Sequence, residues 1–281
     1  MQRFAAWQGR RGAPLLVIAS RRGAPIRMGE TLRYVWEHVR EWPERPLDRL
    51  DLMLVGDGLP SPVAARLVAL LREYARELTV VIAGMTGAGE TLAAFGADEV
   101  LLHPMATLTT VLPRPDDDAE TGVRALVTDL LDQSGDLDPG HRTLLQRADP
   151  GVVGDALHRV RWVRDSVAHL CSLRLRPPSD VAIDAAIEVL TRRVQRDDEP
   201  LDRRRARQIE ALPVTNMTPD IERVAFDLHA AHETALGLLD PGTPPPLRAA
   251  IESETTLHEL AEPGDGQTPA RWMRHHDQPL H

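Results

Sequence analysis

Residues 79–113, TVVIAGMTGAGETLAAFGADEVLLHPMATLTTVLP, constrain the fold more than any other stretch of this chain. They open on a β-branched apolar run, 79–83, of the kind that forms a buried strand. Gly84, Gly87 and Gly89 follow closely, which suits a sharp turn where backbone approaches something at short range. Residues 90–95 are helix formers, and Gly96 stands where a C-cap belongs. A second apolar run, 100–102, comes after Ala97, Asp98 and Glu99. Strand, glycine turn, helix and strand make a βαβ unit, so the spacing predicts an α/β fold.

The stretch also resembles the serine dehydrogenase proteinase family, a branch of the signal peptide peptidase A and Clp protease group within the crotonase-like fold. Thr91-Leu92, then Phe95-Gly96-Ala97-Asp98-Glu99-Val100, then Pro104, Leu108 and Pro113 carry the resemblance, in order and at the family's spacing. It extends upstream to about residue 50 and, more faintly, downstream to about residue 237. It implies a Clp/crotonase-like core of ββα repeats over residues 1–150 and a helical C-terminal region over 151–240. It also implies self-assembly, since relatives form rings.

The match fails where the chemistry belongs. The family's nucleophilic serine falls on Ala88, whose neighbour Gly87 also lacks a nucleophilic atom. The position near the Clp-type catalytic histidine reads Val111, in the run Thr109-Thr110-Val111-Leu112. The loop whose backbone amides help form the family's oxyanion hole reads Gly56-Asp57-Gly58-Leu59-Pro60. Its glycine pair falls on Leu59-Pro60, or one residue back so that Gly58 takes part. Proline has no N–H to give, and losing one such donor costs about 3 kcal/mol in an active enzyme.

Composition removes further routes. All basic residues are arginine, so a Ser–Lys dyad, a phosphate-loop lysine and a Schiff-base lysine are excluded. The net charge of −9 argues against a general nucleic-acid binder. The single cysteine, Cys171, reads as a small buried apolar residue and fits a reducing compartment. Aromatics are 4% of residues, so the core is built from Leu, Val, Ala and Ile. With no membrane-spanning run and only a short apolar segment at 14–19, the sequence reads as cytoplasmic.

Taken in order, residues 15–19 and 50–55 read as strands. Residues 29–40, 63–75, 152–175, 181–195 and 219–239 read as helices, with Ser61 as N-cap and Pro62 at N1 of the second. Thr121–Asp132 is weakly helical, and the arginines at 203–207 read as a solvated helix face. Residues 241–281, rich in proline, glycine and acid, read as a disordered tail, and His275, His276 and His281 make no metal site.

Three functions compete. The first is a catalytically degenerate peptidase fold kept as a binding or assembly module. It would bind through Gly56, Asp57, Gly58, Gly84, Thr86, Gly87 and Gly89, with a peptide ligand, a second copy or an active paralogue as partner. The second is a hydrolase with altered chemistry, Thr86 as nucleophile and Glu90 as base. Against it, Thr86 reads as a turn hydroxyl and Glu90 as a first-turn carboxylate favoured by the helix dipole. The third is an acyl-CoA enzyme of the crotonase type, suggested by the run from Gly87 to Ala93 but lacking the partner loop near Gly56–Ser61. None of the three calls for a metal or a cofactor held by this chain.

Overall fold

Four apolar runs become the parallel centre of one sheet. The computed structural model describes residues 2–21, 26–42, 45–109, 143, 149–190, 201–239, 247–261 and 270–274. In it, β1 (Leu15–Ser20), β2 (Leu47–Gly56), β3 (Ala75–Thr86) and β4 (Glu99–Leu102) lie side by side in chain order, all parallel. β7 (Val214–Asn216) extends the sheet in parallel beyond β4. A short branch leaves β3, where Met85 pairs with Thr107 of β5 (Thr107–Leu108), and β5 pairs antiparallel with β6 (Leu201–Asp202).

The central strands are apolar on both faces, as a sheet covered on both sides requires. Leu16, Ile18, Leu52, Leu54, Val80 and Ile82 join one core with α2 (Met28–Arg40), α3 (Ser61–Tyr74), α4 (Ala88–Ala94), α5 (Pro150–Ser172) and α6 (Asp180–Glu188). Leu15, Val17, Met53, Val81 and Leu101 point the other way, onto α1 (Gln2–Arg11) and α8 (Pro219–Ala235). A single turn, α7 (Arg203–Ala206), follows β6. The chain is thus an α/β protein with a mostly parallel central sheet. No helix among the described residues is long and apolar enough to cross a membrane.

Several sequence expectations change. The segment expected to be a disordered tail contains β8 (Leu247–Glu252), β9 (Thr256–Ala261) and β10 (Ala270–Arg274). β8 pairs antiparallel with β1, and β9 and β10 continue the sheet outward. Local composition reads as disorder here, but the strands gain their stability from the edge of β1, which is distant in sequence. Without them β1, with all six residues buried, becomes an exposed apolar edge, which templates aggregation. Removing residues 247–281 should therefore leave most of the expressed chain in the pellet. A soluble, cooperatively unfolding truncation would show that the hairpin is dispensable.

The N-terminal arginine-rich segment is also helical. Trp7 Nε1 donates to Asp51 Oδ2 at 2.8 Å, and the Arg11 guanidinium bonds Asp51, Thr79 and Glu99, the last at 2.7 Å. Asp51 is fully buried, and its charge is matched by these donors. One short helix is thereby pinned across the first halves of β2, β3 and β4.

Helix ends differ by a residue from expectation. α3 has Pro60 as N-cap, with Ser61 and Pro62 in its first turn. The C-cap of α4 is Phe95 in ordinary right-handed conformation, not Gly96. Gly96 is instead a packing residue: a Cβ there would lie 2.4 Å from Val68 Cγ1. Its neighbour Asp98 accepts from Arg72 at 2.6 Å and from the amides of Leu78 and Leu175. Burial alone would raise the Asp98 carboxyl, but Arg72 and the two amides hold it below its ordinary range. The apolar stripe of α5 is covered within this chain, with Val160, Val163, Val167 and Leu170 all fully buried. That stripe therefore supplies no physical motive for self-association. The residues read as weakly helical at 121–132, Val111, and His275, His276 and His281 lie outside the described residues.

Candidate functional site

The carboxyl ends of β2 and β3 meet, which is where open α/β sheets place ligands. β2 ends at Gly56, whose φ of 88° only glycine adopts freely, and the loop Asp57–Pro60 leads into α3. β3 ends at Thr86, and Gly87 is the N-cap of α4. The two turns touch backbone to backbone: a Cβ on Gly89 would lie 1.8 Å from the Leu59 carbonyl oxygen, and one on Gly87 would lie 2.8 Å from that of Asp57.

Glu90 ties the turns together. Its Oε1 accepts from the Leu59 amide at 2.8 Å and its Oε2 from the Gly87 amide at 3.0 Å. Gly87 has no side chain to return a bond to the Glu90 backbone, so this is half of a capping box. Glu90 is 1% exposed. Burial pushes its carboxyl up to about 8, aided by the negative charge of Asp57 and opposed by the two amides. Perturbed carboxyls cluster at functional sites, but here desolvation inside a backbone-lined slot accounts for the shift.

The other expected site residues are placed as follows. Ala88 is half-buried and presents a methyl group. Thr86 is buried, donates to the Thr107 carbonyl at 3.0 Å, and lies 3.3 Å from the Thr91 hydroxyl, which in turn accepts from the Thr109 amide. These bonds hold β5 against the elbow; no hydrogen bond links Thr86 to Glu90 among the described residues. Asp57 is half-buried beside Glu90. The glycines face the chain's own atoms rather than open space. Gly56 lies under the Ser20 carbonyl, Gly58 against the Arg21 backbone, Gly84 against the His229 ring, and Gly87 and Gly89 against residues 57–60.

Two groups of side chains, the strand-end His103 apart, escaped the sequence reading. The first sits on α8, over the end of β3. His229 is 5% exposed, with its ring against Gly84, Nε2 3.5 Å from Glu233 Oε1, and Nδ1 without a partner among the described residues. Burial lowers its pKa against the pull of Glu233. His232 Nδ1 meets the Leu228 carbonyl and its Nε2 meets Glu252 at 2.9 Å. His103 stacks on Phe226, and burial lowers its pKa too. The i, i+3, i+4 spacing of His229, His232 and Glu233 was the available signal that these residues share a helix face.

The second group is a buried chain on the opposite face. Ser253 Oγ lies 2.8 Å from His38 Nδ1, His38 Nε2 lies 3.1 Å from His258 Nδ1, and His258 Nε2 lies 3.0 Å from Glu37 Oε2. One set of neutral tautomers satisfies the whole line: His258 donating to Glu37, His38 donating to His258, and Ser253 donating to His38. Burial lowers the His258 pKa, and Glu37 opposes it. Because Glu37 and His38 stand on α2 and the other two on the β8–β9 hairpin, the chain fastens that hairpin to α2. Sequence spacing held no hint of it, since the partners are more than 200 residues apart.

A larger cavity, about 1080 Å³, opens beside Asp48, Arg49, Arg72 and Glu77, and none of the elbow residues lines it. Among the described residues no cluster of His, Cys, Asp and Glu fits a metal ion. The fold and the elbow define an α/β protein with two facing turns at the carboxyl edge of its sheet. No protein-family model matches the chain, and a search of the curated proteins finds no match.

Proposed function

We propose that this chain is a catalytically silent relative of the Clp/crotonase-like serine peptidases, retained as a binding or assembly module in the cytoplasm. One observation carries the reading. The Leu59 amide, which the resemblance assigns to oxyanion stabilisation, already donates to Glu90. A carboxylate or carboxyl fixed in that place fills the anion position with the protein's own group. A substrate carbonyl would have to displace it, and transition-state stabilisation needs donors that are free and aimed at the developing charge. Ala88 at the nucleophile position supports the same reading, as do the missing lysine and the Thr86 proton spent on Thr107. The chain-order run of parallel strands β1 to β4 is compatible with the finer fold assignment.

The assembly half rests on exposed apolar side chains: Met85 and Met105 beside the elbow, and Leu175 and Val181 near α6. Light scattering tests it, and a monomer of 31.1 kDa at micromolar concentration would count against it.

Catalytic silence is tested by a fluorophosphonate probe. The wild type should take up none, and Ala88→Ser alone should also stay unlabelled, because a nucleophile without a base and with an occupied anion position is not activated. Stoichiometric modification of the wild type at Thr86, Ser253 or any other hydroxyl would overturn the reading.

A further inference from the structure

α3 begins without a side-chain cap. Its N-cap is Pro60, which offers no side-chain acceptor to the first turn. Ser61, the first helical residue, is 3% exposed, and its hydroxyl oxygen is enclosed without a hydrogen-bond partner among the described residues. Such groups are rare, because an unmet buried hydroxyl costs about 1–3 kcal/mol.

Ser61 lines a cavity of about 360 Å³ together with Pro62 from α3 and His158, Arg159, Trp162 and Val163 from α5. That volume is at the small end of ligand pockets, which run from roughly 300 to 1,000 Å³. The lining is mixed in a directed way. The α3 N-terminus brings the positive end of a helix dipole. Arg159 adds a guanidinium, and no carboxylate is among the described lining residues. Trp162, Val163 and Pro62 supply the apolar remainder.

We propose that this cavity binds a small organic acid. The carboxylate lies toward the Ser61 hydroxyl, the first turn of α3 and Arg159. The hydrocarbon or aromatic body rests on Trp162 and Val163. The apolar lining selects a carboxylate with a body over inorganic phosphate. Glu90 is not among the described lining residues, and Arg159→Gln, on α5, should leave the fluorophosphonate result unchanged.

The test is titration of the full chain with sodium benzoate, followed by calorimetry and by tryptophan fluorescence. A small ligand in such a pocket should saturate with a Kd on the order of 1 mM. Benzamide, isosteric but neutral, should bind about tenfold more weakly, since a charge-assisted hydrogen bond is lost. Ser61→Ala and Arg159→Gln should each weaken benzoate by roughly three- to tenfold. Trp162→Phe should abolish the fluorescence change while keeping the heat. Thermal unfolding of each variant checks its fold; Arg159, on α5 outside the core, carries the test should Ser61→Ala unfold. Absence of saturation by benzoate, equal binding of benzamide, binding of inorganic phosphate in preference to benzoate, or unchanged affinity in Arg159→Gln would each overturn the proposal.

Discussion

Stability should fall as pH rises from about 5 to about 8, and the Glu90→Gln variant should lack most of that fall. The Glu90 carboxyl is raised from 4.5 to about 8 in the folded chain. Between those values the native state holds a proton that the unfolded state has released. The unfolded state therefore binds fewer protons, and the stability slope with pH is negative across the window. At about 1.36 kcal/mol per pKa unit, the full window corresponds to something on the order of 5 kcal/mol. Below the window both states are protonated, and above it both are ionised, so the curve flattens at each end.

Other groups pull the opposite way. Burial lowers the pKa values of His103, His229 and His258. Each of these contributes stability that is present above its ordinary 6.5 and lost as pH falls through its folded value. Those contributions are common to both proteins and cancel in the difference between wild type and Glu90→Gln. The variant should be less stable at about pH 5, by roughly 1–3 kcal/mol. A glutamine has one acceptor oxygen for two amides, and its NH₂ must face the other N–H. The gap should close or reverse by about pH 9, where the wild type holds a buried charge beside Asp57. Guanidinium unfolding at several pH values measures this, and parallel curves for the two proteins would rule out Glu90 as the titrating group.

Several residues that carried the resemblance make packing and hydrogen-bond contacts within the fold. Phe95 and Ala97 are core, Gly96 admits Val68, Asp98 collects Arg72 and two amides, and Glu99 receives Arg11. Short-range pattern was enough to find β1 to β4 and most of the helices, because apolar periodicity and turn glycines are local signals. The Glu90 slot was half legible. A glutamate three residues into a helix after a glycine turn is a local pattern, but its second partner, Leu59, comes from another strand's loop. The C-terminal strands, α1, the His38–His258 chain and the Ser61 cavity were not legible. Each is made by partners far apart in sequence: Ser20 with Ala249, Trp7 with Asp51, Ser253 with His38, and Ser61 with α5. α1 in particular has no strong apolar run, and is held by an indole and a guanidinium on one buried aspartate.

Gly89→Ala should be strongly destabilising, through the shortest backbone contact of any would-be Cβ at the described glycines. The new Cβ would lie 1.8 Å from the Leu59 oxygen, 2.7 Å from its carbonyl carbon and 3.0 Å from that of Pro60. These are backbone atoms of a loop anchored between β2 and α3, so no side-chain rotation relieves the clash. The loop must retreat by an ångström or more, which pulls the Leu59 amide away from Glu90 and leaves a buried carboxyl without one of its two donors. The expected cost is above about 4 kcal/mol, the range reached only when packing and a buried polar contact fail together. Two controls separate this from the ordinary effect of alanine. Gly154 lies within α5 with nothing inside 4 Å of its would-be Cβ. Gly154→Ala should therefore stabilise by about 0.5–1 kcal/mol through helix propensity. Gly84→Ala meets the His229 ring at 2.4 Å, and removing that ring should relieve it. The Gly84→Ala/His229→Ala pair should then be more stable than the sum of the single changes predicts, by about 1 kcal/mol or more. Thermal and guanidinium unfolding read all of these. A Gly89→Ala protein that unfolds within about 1 kcal/mol of the wild type would mean that the two turns do not meet as described, and with them would go the Leu59–Glu90 bond on which the proposed catalytic silence rests.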